Sequence, residues 1–136
     1  MNGLDLVDRK ILLYLTRDSR TSFLSISKEL KISEGTVRQR VAKLQKNGVI
    51  KRFTIDRGNA TTAFVEITTS SSVPTLKISE KIKLLGAVRV FEVTGSFTIL
   101  AMIQTESFDK LNKILESVRS IEGVTQTETF PVLKEY

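Results

Sequence analysis

The chain has 136 residues, 40% hydrophobic and 26% charged, with a net charge of +6 and neither cysteine nor histidine. That length and composition suit a folded protein of one ordinary domain or two small ones. The missing residue types exclude disulfides, thiolate and imidazole catalysis and the usual zinc ligands.

No carboxylate pair sits where a catalytic pocket can be argued, so the expectation is a non-enzyme without cofactor or metal. No apolar run nears the roughly 18–20 residues of a membrane span, and the start, MNGLDLVDRK, lacks a secretory pattern. The cytoplasm is the expected compartment. Charge is unevenly placed: residues 1–60 hold 13 Lys and Arg against 6 Asp and Glu, a net +7, whereas residues 61–136 hold 8 against 9, a net −1. A basic front and a near-neutral back point to one polyanion-binding domain and one domain with another task.

In chain order, Asp5 caps a first helix with Asp8 in its first turn, where negative charge meets the positive helix end. Val7, Ile11, Tyr14 and Leu15 form its apolar stripe through Arg17. Asp18-Ser19-Arg20-Thr21 is a polar connector. A short second helix spans Ser22 to Leu30, with Phe23, Ile26 and Leu30 on one face. Lys31-Ile32-Ser33 turns the chain tightly into a third helix, capped by Ser33 and ended at Gly48.

In that third helix Val37, Val41 and Leu44 recur at i, i+4, i+7 and so share a face. At about 100° per residue, Gly35, Gln39, Ala42 and Lys46 lie opposite, with Thr36 and Lys43 on one flank and Arg38 on the other. Small residues let a backbone approach a flat partner, and Gln, Arg and Lys reach base edges or phosphates. Two helices joined by so short a turn, the second with a polar, basic face, make a helix-turn-helix suited to the DNA major groove. Thr36, Arg38, Gln39 and Lys43 are the expected base readers. Arg20, Ser33, Lys46, Lys51 and Arg52 are the expected backbone contacts. Arg40, near the apolar flank, suits a structural ion pair or a phosphate contact equally.

Val49–Ile55 is β-branched and alternating, which predicts a strand; with no second strand before Asp56, any wing is rudimentary. Residues 56–60 read as a linker, with Gly58 and Asn59 as turn formers. Beyond it Thr61–Thr69 predicts a strand, and Pro74 opens a helix with Ile78, Ile82 and Leu85 inward until Gly86. Ala87–Thr94 and Phe97–Thr105 predict a hairpin about Gly95-Ser96. Ser107 caps a helix with Phe108, Leu111, Leu115 and Val118 on one face, Gly123 ends it, and Val124–Lys134 predicts a last strand. The order βαββαβ is the ferredoxin-like arrangement. A faint repeat, LLGAVRVFEV and SIEGVTQTETF, supports it. So small a domain buries too little surface alone, and a second copy is expected over the open sheet face.

The segments LDLVDRKILLYLTRDSRTSFLSISKELKISEGTVRQRVAKLQKNGVIKRFTI, KLLGAVRVFEVTGSFTIL and SIEGVTQTETF together resemble the leucine-responsive regulator/AsnC family of prokaryotic transcription regulators, short archaeal type. The resemblance covers nearly the whole chain. It implies an α+β protein: a winged helix-turn-helix over 1–55, a linker over 56–60 and a ferredoxin-like, amino-acid-responsive domain over 61–136. It also implies double-stranded DNA as partner and homodimers that assemble further into tetramers or octamers.

By the same resemblance an amino-acid effector would lie at Gly95, Ser96, Phe97 and Thr98, with Thr127 and Thr129 as neutral acceptors. The family's hairpin commonly reads Gly-Asp-Tyr-Asp; here both carboxylates are gone, and a buried ammonium loses its strongest partner. Phe91, Phe97 and Phe130 read more simply as sheet-interface core than as ligand-stacking groups. Three functions remain in play: a sequence-specific transcription regulator, an architectural DNA binder of low specificity, and a metabolite-sensing subunit that binds another protein.

Overall fold

The computed structural model describes residues 3–55 and 57–135; Met1, Asn2, Asp56 and Tyr136 fall outside the described residues, and with Asp56 the first residue of the expected linker. The chain divides into two compact units, Met1–Asp56 and Arg57–Tyr136.

Three helices make the first unit: α1 (Leu6–Arg17), α2 (Phe23–Leu30) and α3 (Glu34–Lys46). Each starts on a side-chain cap that accepts an orphan backbone N–H. The Asp5 carboxylate accepts from the Asp8 N–H at 2.8 Å, and the Asp8 carboxylate accepts in return from the Asp5 N–H at 3.4 Å. Ser22 caps α2 and Ser33 caps α3. The turn between α2 and α3 is tight because Lys31 takes a left-handed conformation, φ 54°, and the Ile32 N–H donates to the Ser27 carbonyl at 3.1 Å. Ile11, Leu15, Ile26, Val37 and Val41 then meet in one core, with Phe23, Tyr14 and Ile50 packed against it.

The strand expected over Val49–Ile55 is not formed among the described residues. The N–H groups of Val49 and Ile50 both donate to the Leu44 carbonyl, at 2.9 and 3.1 Å, which folds this stretch back on the end of α3. Residues 51–55 are all exposed and pair with no second strand. β-branched alternation favours a strand only where a neighbour satisfies its backbone.

The second unit is a four-stranded antiparallel sheet in the order β2-β3-β1-β4. Its elements run β1 (Thr61–Thr69), α4 (Thr75–Leu84), β2 (Ala87–Glu92), β3 (Ile99–Thr105), α5 (Phe108–Arg119) and β4 (Val124–Pro131). This is the expected βαββαβ order, although β2 and β3 stop short of the turn and β4 ends at Pro131 rather than Lys134. One further bond to β1 follows it, from the Val132 N–H to the Thr62 carbonyl at 2.9 Å.

Alternation sorts the side chains onto two faces. Ala63, Val65, Ile67, Ile99, Ala101 and Ile103 are buried under α4 and α5, which bring Ile78, Ile82, Leu111, Leu115 and Val118. A fully buried Val, Leu or Ile contributes about 1.5–3 kcal/mol, so this layer dominates the unit's stability. Gly123 is needed where it stands. Its φ is +92°, and an added Cβ would lie 2.9 Å from both Ile78 Cδ1 and Val73 Cβ.

The other face is open. Register pairs Phe64 with Met102 and Phe130, and Leu100 with Phe91 and Glu66. Phe64, Phe91 and Phe130 stay 38%, 44% and 43% exposed.

Candidate nucleic-acid interface and ligand cavity

Helix α3 separates its two faces as the periodicity requires. Val37, Val41 and Leu44 are buried, and Gly35, Arg38, Gln39, Ala42, Lys43 and Lys46 are exposed. Among the described residues Gln39, Lys43 and Lys46 make no side-chain hydrogen bond or ion pair, so their polar ends are free to meet a partner. Thr36 is half-buried, and its hydroxyl lies 2.8 Å from that of Ser33 inside the cap. Ser33 itself accepts from the Thr36 N–H at 3.0 Å. Lys51 and Arg52 are exposed just beyond the helix. Arg20 is exposed in the α1–α2 connector, where its N–H donates to Asp18 at 2.8 Å.

The two arginines of α3 part company. Arg40 turns inward to the start of α1, donating to Asp5 at 2.5 Å and Asp8 at 2.8 Å. Asp8 keeps only 12% side-chain exposure there. This settles the open choice for Arg40 in favour of a structural ion pair. The Asp8 N–H, and then the Arg40 guanidinium, hold the Asp5 carboxyl below its ordinary value. The carboxylates in turn raise the Arg40 pKa.

Arg38 turns outward. Its guanidinium donates to Glu34 at 2.7 Å and lies 5.4 Å from the centre of the Phe23 ring. An i,i+4 Glu–Arg spacing is legible in the sequence; the approach of Phe23 from another helix is not.

In the second unit, Gly95 with φ +150° lets the chain reverse between β2 and β3. A small cavity of about 120 Å³ opens beside it, lined by Glu66, Thr68, Ser96, Phe97, Gln126 and Glu128. The structure thus brings Ser96 and Phe97 together with two carboxylates contributed by β1 and β4. The remaining expected ligand residues lie elsewhere. Thr98 donates its hydroxyl to the Ile67 carbonyl at 3.1 Å and sits 3.0 Å from the Thr69 hydroxyl. Thr127 and Thr129 pair with Ile67 and Val65 and so share the helix-covered face, where Thr127 accepts from Arg119 of α5 at 3.1 Å.

Residues 4–51 match the model of a winged helix-turn-helix DNA-binding domain, and residues 62–136 match that of the Lrp/AsnC ligand-binding domain. The chain belongs to the Lrp/AsnC family. It is 44% identical to the HTH-type transcriptional regulator LysM of Sulfurisphaera tokodaii, over 98% of both chains. It is 38% identical to LysM of Saccharolobus solfataricus, over 98% of this chain and 96% of that one. Among solved structures, Escherichia coli AsnC superposes with a TM-score of 0.76 at 26% identity, covering 98% of this chain and 94% of the other.

Ser96 and Thr98 place no carboxylate on the turn itself. Glu66 and Glu128 stand in the space beside it. Sequence reading missed both, because Glu66 and Glu128 are 62 positions apart and meet only through the β1–β4 register. Among the described residues no group of acidic side chains is arranged to hold a metal, and no helix is long and apolar enough to cross a membrane.

Proposed function

We propose that this Lrp/AsnC chain is a sequence-specific DNA-binding transcription regulator, without chemistry of its own, that works in the cytoplasm. Arg38, Gln39 and Lys43 of α3 read bases, with Thr36 at the edge of the groove. Ser33, Lys46, Lys51, Arg52 and Arg20 engage the backbone. Two copies associate through the open sheet face, and further assembly builds on that dimer. An amino acid or related metabolite enters the cavity beside Ser96 and Phe97, where Glu66 and Glu128 offer partners to an ammonium.

The observation that carries this reading is the division of α3: a buried Val37–Val41–Leu44 stripe holds an exposed face of small, amide and cationic residues. A helix docking on protein would more often present apolar groups there. Self-association is supported by the aromatic groups of the open sheet face, since the protomer leaves Phe64, Phe91 and Phe130 uncovered.

Enrichment of duplexes from a random-sequence library by the full-length protein tests the reading. A specific regulator recovers a defined site and prefers it over shuffled DNA by about 10³-fold or more at fixed salt. Recovery of no preferred site, with affinity governed by salt alone, would instead favour the architectural reading.

A further inference from the structure

We propose that Glu34 is a specificity-determining residue of the DNA interface, acting by positioning Arg38; this rests on the reading that α3 contacts bases. Glu34 is the first residue of α3, one position after the Ser33 cap. Its Oε1 accepts from Arg38 Nη2 at 2.7 Å, while the Phe23 ring holds the same guanidinium from α2 at 5.4 Å. The two side chains are 42% and 65% exposed. An exposed pair of this kind adds little to stability, so its consequence lies in what it does to the arginine.

The consequence is twofold. A guanidinium is a planar fork of five donors, and its base-reading power depends on presenting two of them together to guanine O6 and N7. Glu34 and Phe23 remove freedom from a side chain that otherwise carries much rotamer entropy, and one carboxylate bond leaves the other donors of the fork available. Glu34 also neutralises Arg38 at a helix N-terminus, a place where backbone N–H groups and the helix dipole would otherwise hold a phosphate. The pair therefore contributes little to sequence-indifferent binding, which scales with the phosphates neutralised. Arg38 is withheld from phosphates and aimed at bases.

Duplexes enriched by the wild-type protein, and shuffled versions of them, are the probes for wild type, Glu34→Gln, Arg38→Ala and the double variant. Glu34→Gln is expected to bind shuffled DNA about three- to tenfold more tightly, with a salt slope steeper by about one. Affinity for enriched DNA gains less, so the preference falls. Arg38→Ala lowers the preference by roughly fivefold or more, and Glu34→Gln lowers it no further in that background. An unchanged preference in Glu34→Gln, with Arg38→Ala still lowering it, overturns the proposal and leaves base reading standing. An unchanged preference in both overturns base reading by Arg38 and the proposal with it. An equal fall in both backgrounds assigns the effect to charge alone and also overturns it. Phe23→Leu, which keeps an apolar side chain without the ring, is expected to move the preference in the same direction as Glu34→Gln, and thermal melting of each variant separates loss of fold from loss of aim.

Discussion

In the first unit the apolar residues of α3 point inward, and Gln39, Lys43 and Lys46 stand outside with no partner of their own among the described residues. In the second, Val65, Ile67, Ile99 and Ile103 lie under the helices, while the other face mixes Phe64, Phe91 and Phe130, 38–44% exposed, with the carboxylates of Glu66 and Glu128. The same chain therefore offers two outward surfaces of different chemistry, one cationic and one aromatic with carboxylates. A polar, cationic helix face gains from a polyanion through counterion release. The aromatic groups of a sheet face gain by leaving water. The difference suits the two units to different partners under the proposed function, and each half of that proposal can be broken separately.

The largest expected effect is on the sheet. Phe64→Lys places a charge at the centre of the open face while sparing the core beneath it, and should weaken self-association by about 100-fold or more. Sedimentation across a concentration series would detect this. A wild type that stays monomeric at micromolar concentration would refute the role given to that face.

Next comes the joint that holds α3 in place. Arg40→Ala leaves Asp8, with 12% side-chain exposure, without its cation, and is expected to destabilise the first unit by about 1–3 kcal/mol in denaturant unfolding. Asp5 gives this joint an acid dependence. Its folded pKa lies below the ordinary value of 3.8, so its contribution is present above that value and is lost as pH falls through the folded one. Stability measured downward from about pH 5 should fall, and Asp5→Asn should flatten that fall. An Asp5→Asn curve with the wild-type slope would show that other carboxylates govern the loss.

Smaller still is the effect of Lys51→Ala with Arg52→Ala, which should reduce the salt slope of DNA binding by about two units without changing sequence preference. An unchanged slope would move those charges off the DNA.

Much of this contrast was legible in the sequence, for physical reasons that differ between elements. Helical periodicity and caps are local, so Asp5, Ser22, Ser33 and Ser107 marked helix starts and Val37, Val41 and Leu44 marked a buried face. Thr61–Thr69 was legible because its alternation is long. Val49–Ile55 misled, because a strand needs a partner that the residues themselves do not contain. Arg40 stayed ambiguous because its partners lie 32 and 35 positions away. The cavity beside Gly95 was half-legible: Ser96 and Phe97 belong to a local turn, whereas Glu66 and Glu128 meet through strand register. Thr127 and Thr129 were expected as neutral acceptors for a ligand, and a period of two puts them on the helix-covered face.

The claim that α3 reads bases is tested most directly by Gln39→Ala, titrated against an enriched duplex and its shuffled counterpart at one salt concentration. Gln39 is exposed, unpaired among the described residues and opposite the buried stripe, so its removal should leave fold and phosphate contacts intact. Affinity for shuffled DNA should hold within about twofold while the preference for the enriched duplex falls by roughly fivefold or more, the worth of one amide–adenine contact. An equal loss on both duplexes, or none on either, would contradict base reading by this face.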